Sequence, residues 1–425
     1  MRVLGIATAT LLLGLPVFGQ APGEVSGPGL AIRAQKALTC ALEGEQFIDQ
    51  AVMLVRDGRI EAIGPAAETA IPEDYVVIDL GERWIAPGLV DLHCHIAGPE
   101  LFKGLNDIND AVYLTNPGLR VVPAVIPGHA DLRLSVAGGV TTVLYIPGSA
   151  SNMGGQGVLL KTGFDNYEEM ELRFPGSLKI AQAGNPERWG IGVGRSFMNW
   201  NTRNTLRRGA AYAGARKADE GVERNPQFDI FPHLASKNAQ ISVHTQIYQV
   251  VLMTLTMLRG EFGFETYIDH GSFDGYRAAE KAQEMGVPAI LGPREIVRTI
   301  AIPGRFVIDT DGKLLGMAAE YQKRGHKTIG FNTDSPIVPE QEFHVQAAVA
   351  VRFGMENDAM QALRGLTIMP AVAAGVADRV GSLEVGKQAD VIVVTGDPVD
   401  PRTVVERVFI EGRSVYDNAE ERRRW

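Results

Sequence analysis

Between Val90 and Gly375, short apolar or β-branched runs alternate with stretches of helical periodicity, and that alternation leaves few folds open. The strand-like runs are Val90–His95, Val140–Ile146, Gly157–Thr162, Leu178–Ala183, Gln240–Thr245, Glu265–His270, Pro288–Leu291 and Thr328–Asn332. Helical spacing is clearest at Ile247–Leu258, Gly275–Met285, Glu342–Phe353 and Asp358–Thr367. Pro370 stands where the first turn of a further helix, Pro370–Gly375, begins. Eight strands separated by helices give the count of an α/β fold, a (β/α)8 TIM-type barrel.

The flanks follow different patterns. Residues 1–19 place an apolar segment behind Arg2, too short for a bilayer span, which predicts a secretory signal peptide cut near Gly19-Gln20. Residues 20–87 carry short strand-like runs, with Asp57-Gly58 as a hairpin turn between two of them. The barrel is expected over 88–380. Residues 381–425 return to strands at Ala389–Val394, Val404–Ile410 and Arg413–Tyr416 before a charged tail. The two flanks are expected to form one small composite β-sandwich from both chain ends.

In such a barrel the chemistry gathers at the C-terminal ends of the strands. The first strand ends in Asp91-Leu92-His93-Cys94-His95, and strand alternation sends His93 and His95 to one face. Two imidazoles on one face are a ready chelate for a transition metal. Further ionisable residues follow at other strand ends: Lys179 in Ser-Leu-Lys-Ile-Ala, His244 in Ile-Ser-Val-His-Thr, His270 in Tyr-Ile-Asp-His-Gly, and Asp334 in Asn-Thr-Asp-Ser-Pro. Any one of them alone is bland, because a buried histidine is more often a hydrogen-bonded core residue. Together they are hard to explain as packing.

On these residues the chain resembles the metal-dependent amidohydrolase superfamily. The motifs are Pro-Gly-Leu-Val-Asp-Leu-His-Cys-His (87–95), Gly-Gly-Val-Thr-Thr-Val (138–143) and Gly-Ser-Leu-Glu-Val-Gly-Lys-Gln-Ala-Asp (381–390). The stretches 147–156 and 178–186 resemble a secreted, imidazolonepropionase-related bacterial branch. The resemblance implies that His93, His95 and Asp334 hold one divalent metal ion and His244 and His270 a second, with zinc the default. It implies that Lys179 bridges the two ions as a CO2-derived carbamate. It further implies a hydroxide bridging the ions as nucleophile, with Asp334 taking its proton and passing it to the leaving nitrogen. Lys161, on the third strand, is the rival for the bridging role or else a substrate contact.

Mononuclear deaminases of the superfamily usually carry a glutamate shortly after the fifth-strand histidine. Here His244 is followed by Thr245, Gln246 and Ile247, which favours hydrolysis of an amide-type C–N bond in an N-acyl amino acid, dipeptide or cyclic amide. The alternatives are a mononuclear deaminase or imidazolone-type ring hydrolase, and, from another class, a non-catalytic binding or assembly protein on the same fold. Gln156 sits in a Gly-rich turn expected beside the pocket. The connection 185–225 carries Arg195 and Arg203; it is either a solvated helix face or a lid in which one of them binds a substrate carboxylate.

A net charge of −9 argues against a nucleic-acid partner. The expected partner is a small-molecule substrate, with no membrane span after signal cleavage. The outer barrel helices could support a homo-oligomer, and the destination is periplasmic or extracellular. Cys40 and Cys94 are expected to be free and buried.

Overall fold

A computed structural model describes residues 28–99, 109, 113–182, 194–293, 296–297 and 315–421. The expected signal segment, residues 1–19, lies outside them. Among the described residues no helix is long and apolar enough to cross a membrane.

Eight strands form one sheet: β1 (Leu89–Cys94), β2 (Val140–Tyr145), β3 (Met153–Lys161), β4 (Glu171–Ala181), β5 (Gln240–Thr245), β6 (Thr266–His270), β7 (Ala289–Leu291) and β8 (Ile329–Phe331). They neighbour one another in chain order. The first and last strands approach at the C-terminal end of the sheet. Cys94 bridges Ser335 there, and the His95 N–H donates to the Ser335 carbonyl at 3.0 Å. Most of these strands are buried along their whole length, as strands packed on both faces must be.

Helices cover the outside: α1 (Ala130–Ala137), α2 (Arg195–Ala218), α3 (Ile230–Ala235), α4 (Tyr248–Leu255), α5 (Ala279–Glu284), α6 (Met317–Lys323), α7 (Phe343–Arg352), α8 (Gln361–Leu366) and α9 (Ile368–Ala373). Their apolar faces pack on the strands. Leu206 of α2 and Phe231 of α3, for example, share a core with Leu178 and Ile180 of β4. Pro370 lies in the first turn of α9, where its missing N–H has no intrahelical partner to lose.

The third strand departs from the expected parallel barrel. β3 pairs antiparallel with both β2 and β4, while the other neighbouring pairs are parallel. The connection from Tyr145 to Met153 is too short for a crossover, which takes about a dozen residues, so the chain must turn straight back. The reversal carries the C-terminal end of β3 to the opposite end of the barrel. Lys161 is therefore removed from the other candidate residues. It is buried in an ion pair with Asp390, and both side chains are almost wholly enclosed.

Strands from both chain ends share a second sheet. Gly29–Leu38, Phe47–Arg56, Arg59–Pro65, Tyr75–Asp79 and Trp84–Pro87 join Val391–Val394, Val405–Ile410 and Arg413–Asp417. The joint is the antiparallel pairing of Val391–Val394 with Trp84–Pro87. Asp57 and Gly58 both have positive φ, 50° and 76°, the backbone that a two-residue hairpin matched to strand twist requires. Cys40 and Cys94 are free and buried.

Asp390 belongs to the segment that leads into this second sheet, so the Lys161–Asp390 pair ties the sheet to the closed end of the barrel. Lys161→Met should lower the unfolding free energy by about 3–5 kcal/mol, because a buried Asp390 is left uncompensated. Urea unfolding measures the loss; an unchanged midpoint would show that the pair contributes nothing.

Candidate metal centre

The strands bring His93, His95, Lys179, His244, His270 and Asp334 to one end of the barrel. Each is there for a local reason. His93 ends β1 pointing inward, with Asp91 below it on the same face. Lys179 pairs in register with Ser242, so it starts one layer beneath His244. Its long stem makes up the difference: Nζ reaches to 3.2 Å from His93 Nε2. Asp334 follows β8 with φ +49°.

His270 follows Asp269 directly, and simple alternation would send the two to opposite faces. His270 instead has φ +78°, which turns the chain out of strand geometry and lets both neighbours serve the same interior. Asp269 Oδ2 lies 2.7 Å from His93 Nδ1 and 3.7 Å from Lys179 Nζ, with all three side chains fully buried. Asn332 donates to its other oxygen at 3.3 Å.

The outward-facing ring nitrogens fix which nitrogens face inward. His95 Nδ1–H donates to the Ile146 carbonyl at 2.8 Å, and His270 Nδ1–H to the Gly292 carbonyl at 3.0 Å. His93 turns Nδ1 to Asp269. The Nε2 atoms of all three rings are left to the centre. His93 and His95 bring theirs to 3.1 Å, and Asp334 Oδ1 stands 3.2 and 3.4 Å from the same two nitrogens. His244 is turned the other way, presenting Nδ1 at 2.9 Å from His270 Nε2 and 2.7 Å from Ser149 Oγ.

Two bare imidazole lone pairs at 3.1 Å require an electrophile between them. A proton or a metal ion can take that place. Burial pushes His93 down, but Asp269 outweighs it and raises the imidazole to about 8. Burial lowers His95, and holds His244 well down with help from His270. It takes His270 to about 4, with His93 adding to the shift. Burial would raise the Asp269 carboxyl, yet His93 and Lys179 bring it to about 2. Asp334 is likewise held down, chiefly by His93 against the opposing effect of burial. Lys179 is lowered by burial, against the pull of Asp269 and Asp334.

Three imidazoles held neutral by burial, His93 whose proton a metal ion must displace, an ionised carboxylate and an amine shifted toward neutrality make a donor set suited to a divalent transition metal. Among the described residues, ligand atoms of His93, His270 and Asp334 lie within 4.8 Å of one another, a group able to hold an ion.

Beneath the centre, Asp91 locks the barrel seam. Its Oδ1 accepts the His93 N–H at 2.8 Å, and its Oδ2 accepts the Thr333 N–H at 2.9 Å and hydroxyl at 2.6 Å. Thr333 also reaches Glu340 at 3.1 Å. Burial raises both carboxyls, Asp91 to about 6.

The remaining candidates fall elsewhere. Lys161 sits at the far end with Asp390, so Lys179 is the lysine of the cluster. Gln156 pairs in register with Leu178, on the outer face of the sheet, and its Nε2 donates to the Pro117 carbonyl at 3.1 Å. Arg195 is exposed in the first turn of α2. Arg203 is held by Glu261 at 2.7 Å and Asn199 at 2.8 Å. Residues 183–193 of that connection lie outside the described residues. The sequence had not singled out Asp269 or Ser149. Adjacency to His270 hid the first, and a serine in a polar loop carries no signal.

The amidohydrolase family model matches residues 274–415. The amidohydrolase tasK of Hapsidospora irregularis is 24% identical over 417 residues, covering 88% of this chain; the chain spans 40% of that relative's length. The imidazolonepropionase of Deinococcus radiodurans is 27% identical over 371 residues, which is 82% of this chain and 86% of the relative. The crystal structure of an amidohydrolase from Thermotoga maritima MSB8 superposes with a TM-score of 0.78 at 28% identity, covering 91% of this chain and all (100%) of that one. The barrel and its ligand-bearing strand ends thus resemble those of amidohydrolases. The chain is similar to amidohydrolases, imidazolonepropionases among them, over most of its length. Members of the superfamily generally use divalent metals.

Asp269→Asn should weaken zinc binding by about 10–100-fold, since the carboxylate that orients and polarises His93 is lost. Because metal must displace the proton on His93, wild-type affinity should rise by up to about tenfold per pH unit toward pH 8 and level off above it. Chelator competition measures both. A flat profile between pH 6 and 8 would remove His93 from the ligand set.

Proposed function

We propose that this chain is an exported, binuclear metal-dependent hydrolase of amide-type C–N bonds. Its substrates would be N-acyl amino acids, dipeptides or cyclic amides. The observation that carries the proposal is Lys179, fully buried with Nζ 3.2 Å from His93 Nε2. An ammonium ion is out of place among metal-ligating imidazoles. Burial drives Lys179 toward the neutral amine, which is the form that combines with CO2. The carbamate so formed would supply an anionic oxygen to each of two cations.

His93, His95 and Asp334 would hold one ion, and His244 and His270 the other, with Lys179 between. Divalent ions bound there would acidify water and polarise the substrate carbonyl. The protein's own contribution is orientation and proton handling. Asp269, Ile146 and Gly292 fix three of the rings through their outer nitrogens. Asp334 is 21% exposed at its side chain while His93 is fully enclosed, so it is the carboxylate that meets substrate at the mouth. It accepts a proton from the attacking water and delivers it to the leaving nitrogen. No carboxylate stands directly after His244, in agreement with this division of labour.

The relatives named imidazolonepropionase, and the three-residue group of His93, His270 and Asp334, favour a second possibility: a single ion serving a ring hydrolase or deaminase. Metal content separates the two. Wild-type protein prepared with zinc and bicarbonate should hold two ions per chain, and Lys179→Ala one or none. One ion in both would select the mononuclear alternative. Asp334→Asn should lower kcat by about 10²–10⁴-fold on whichever amide is turned over, and wild-type turnover in that variant would refute its role. Export rests on the apolar segment in residues 1–19, and N-terminal sequencing of protein recovered from the periplasm or medium tests it.

A further inference from the structure

Three apolar side chains at the barrel mouth stand apart from the larger cores. Ile247 and Val250 are buried against each other, and half-buried Phe273 packs on them, in a cluster separate from the cores of the barrel and the second sheet. Ile247 follows β5 three residues after His244, and Phe273 follows β6 three residues after His270. The cluster therefore spans the two strand ends that carry the proposed ligands of the second ion.

Its backbone is held in an unfavourable conformation. Ile247 has φ 61° and ψ 141°, a region essentially reserved for glycine and worst for a β-branched residue. Phe273 has φ 59°. Such conformations persist only where the surroundings enforce them. Here the Ile247 N–H donates to the Ser272 carbonyl at 3.3 Å, and the Tyr248 N–H to Asp274 Oδ1 at 2.8 Å. The Val251 N–H closes the first turn of α4 on the Ile247 carbonyl at 3.0 Å. Large apolar side chains thus occupy two positions with positive φ, on a pinned frame, in the connections that follow the strands bearing His244 and His270. The nearby charges are already engaged: Asp274 Oδ2 pairs with Arg277 at 3.3 Å, and Arg277 lies over the Tyr248 ring. The three side chains of the patch itself, among the described residues, are all apolar.

We propose that Ile247, Val250 and Phe273 form the subsite for an aliphatic or aromatic side chain next to the scissile amide. The inference rests on the proposal that His244 and His270 belong to the reacting centre. It makes the enzyme selective for apolar over polar acyl amino acids, with Ile247 as the residue that sets the preference.

The test is calorimetric titration of the zinc-loaded full chain with N-acetyl-L-leucine and N-acetyl-L-serine, for wild type, Ile247→Ala, Ile247→Gly and Val250→Ala. Wild type should bind the leucine compound at least about tenfold more tightly, and the preference should fall to about threefold or less in the Ile247 variants. Ile247→Gly should melt above Ile247→Ala, because glycine releases the unfavourable φ. Should the Ile247 variants not fold, Val250→Ala carries the same expectation for the binding ratio. Equal wild-type affinity for the two compounds, or a preference unchanged in the folded variants, would overturn the subsite. Hydrolysis is read separately. Cleavage of both compounds at equal rates and with equal affinities sinks the subsite and leaves the reaction standing. A leucine preference sensitive to position 247 without any cleavage does the reverse.

Discussion

Asp269 is the group that allows a lysine and four histidines to share a buried space. Without a carboxylate at that point, Lys179 and His93 would place two positive charges about 3 Å apart in a region of low dielectric. With it, His93 is fixed by its outer nitrogen and its inner nitrogen is delivered to the centre. The depressed Asp269 carboxyl and the raised His93 imidazole are two descriptions of one contact. The other ring placements follow the same design, with backbone carbonyls of Ile146 and Gly292 acting where Asp269 acts for His93. Orientation of these rings thus rests on groups that lie behind them, at their outer nitrogens.

Much of this was legible in the sequence because parallel barrel strands deliver their last residues to a single end. His93, His95, Lys179, His244, His270 and Asp334 could be chosen by asking which ionisable residue closes each apolar run. The rule broke where its premise broke. Lys161 closes an apolar run equally well, but β3 runs backwards, and the same logic sends its end away from the centre. The missing crossover helix between Tyr145 and Met153 was the available clue. Asp269 was hidden for a different reason: alternation assigns it the face opposite His270, and only the positive φ of His270 cancels that assignment. Such backbone exceptions come from tertiary pairing and leave little trace in a single sequence.

The reversed strand also shapes both ends of the barrel. At the ligand end it brings the tight connection carrying Ser149 over the centre, within hydrogen-bond reach of His244. At the other end it supplies Lys161 to Asp390, the buried charge pair that binds barrel to sheet. A hairpin in place of a crossover thus gives one loop near the chemistry and one anchor far from it.

The barrel seam sets a condition on assembly. Its closing contact joins Cys94 and His95 to Ser335, so chain segments far apart in sequence must meet before the sheet is complete. The residues on either side of that contact, His95 and Asp334, belong to one proposed metal site. A chain still folding has the two halves of this site on separate, unjoined segments and can offer an ion little more than a pair of histidines. Full coordination at the proposed site would arise only when the last strand docks on the first. The ion would then lock the final step of folding, and an incompletely closed barrel would bind metal too weakly to keep it.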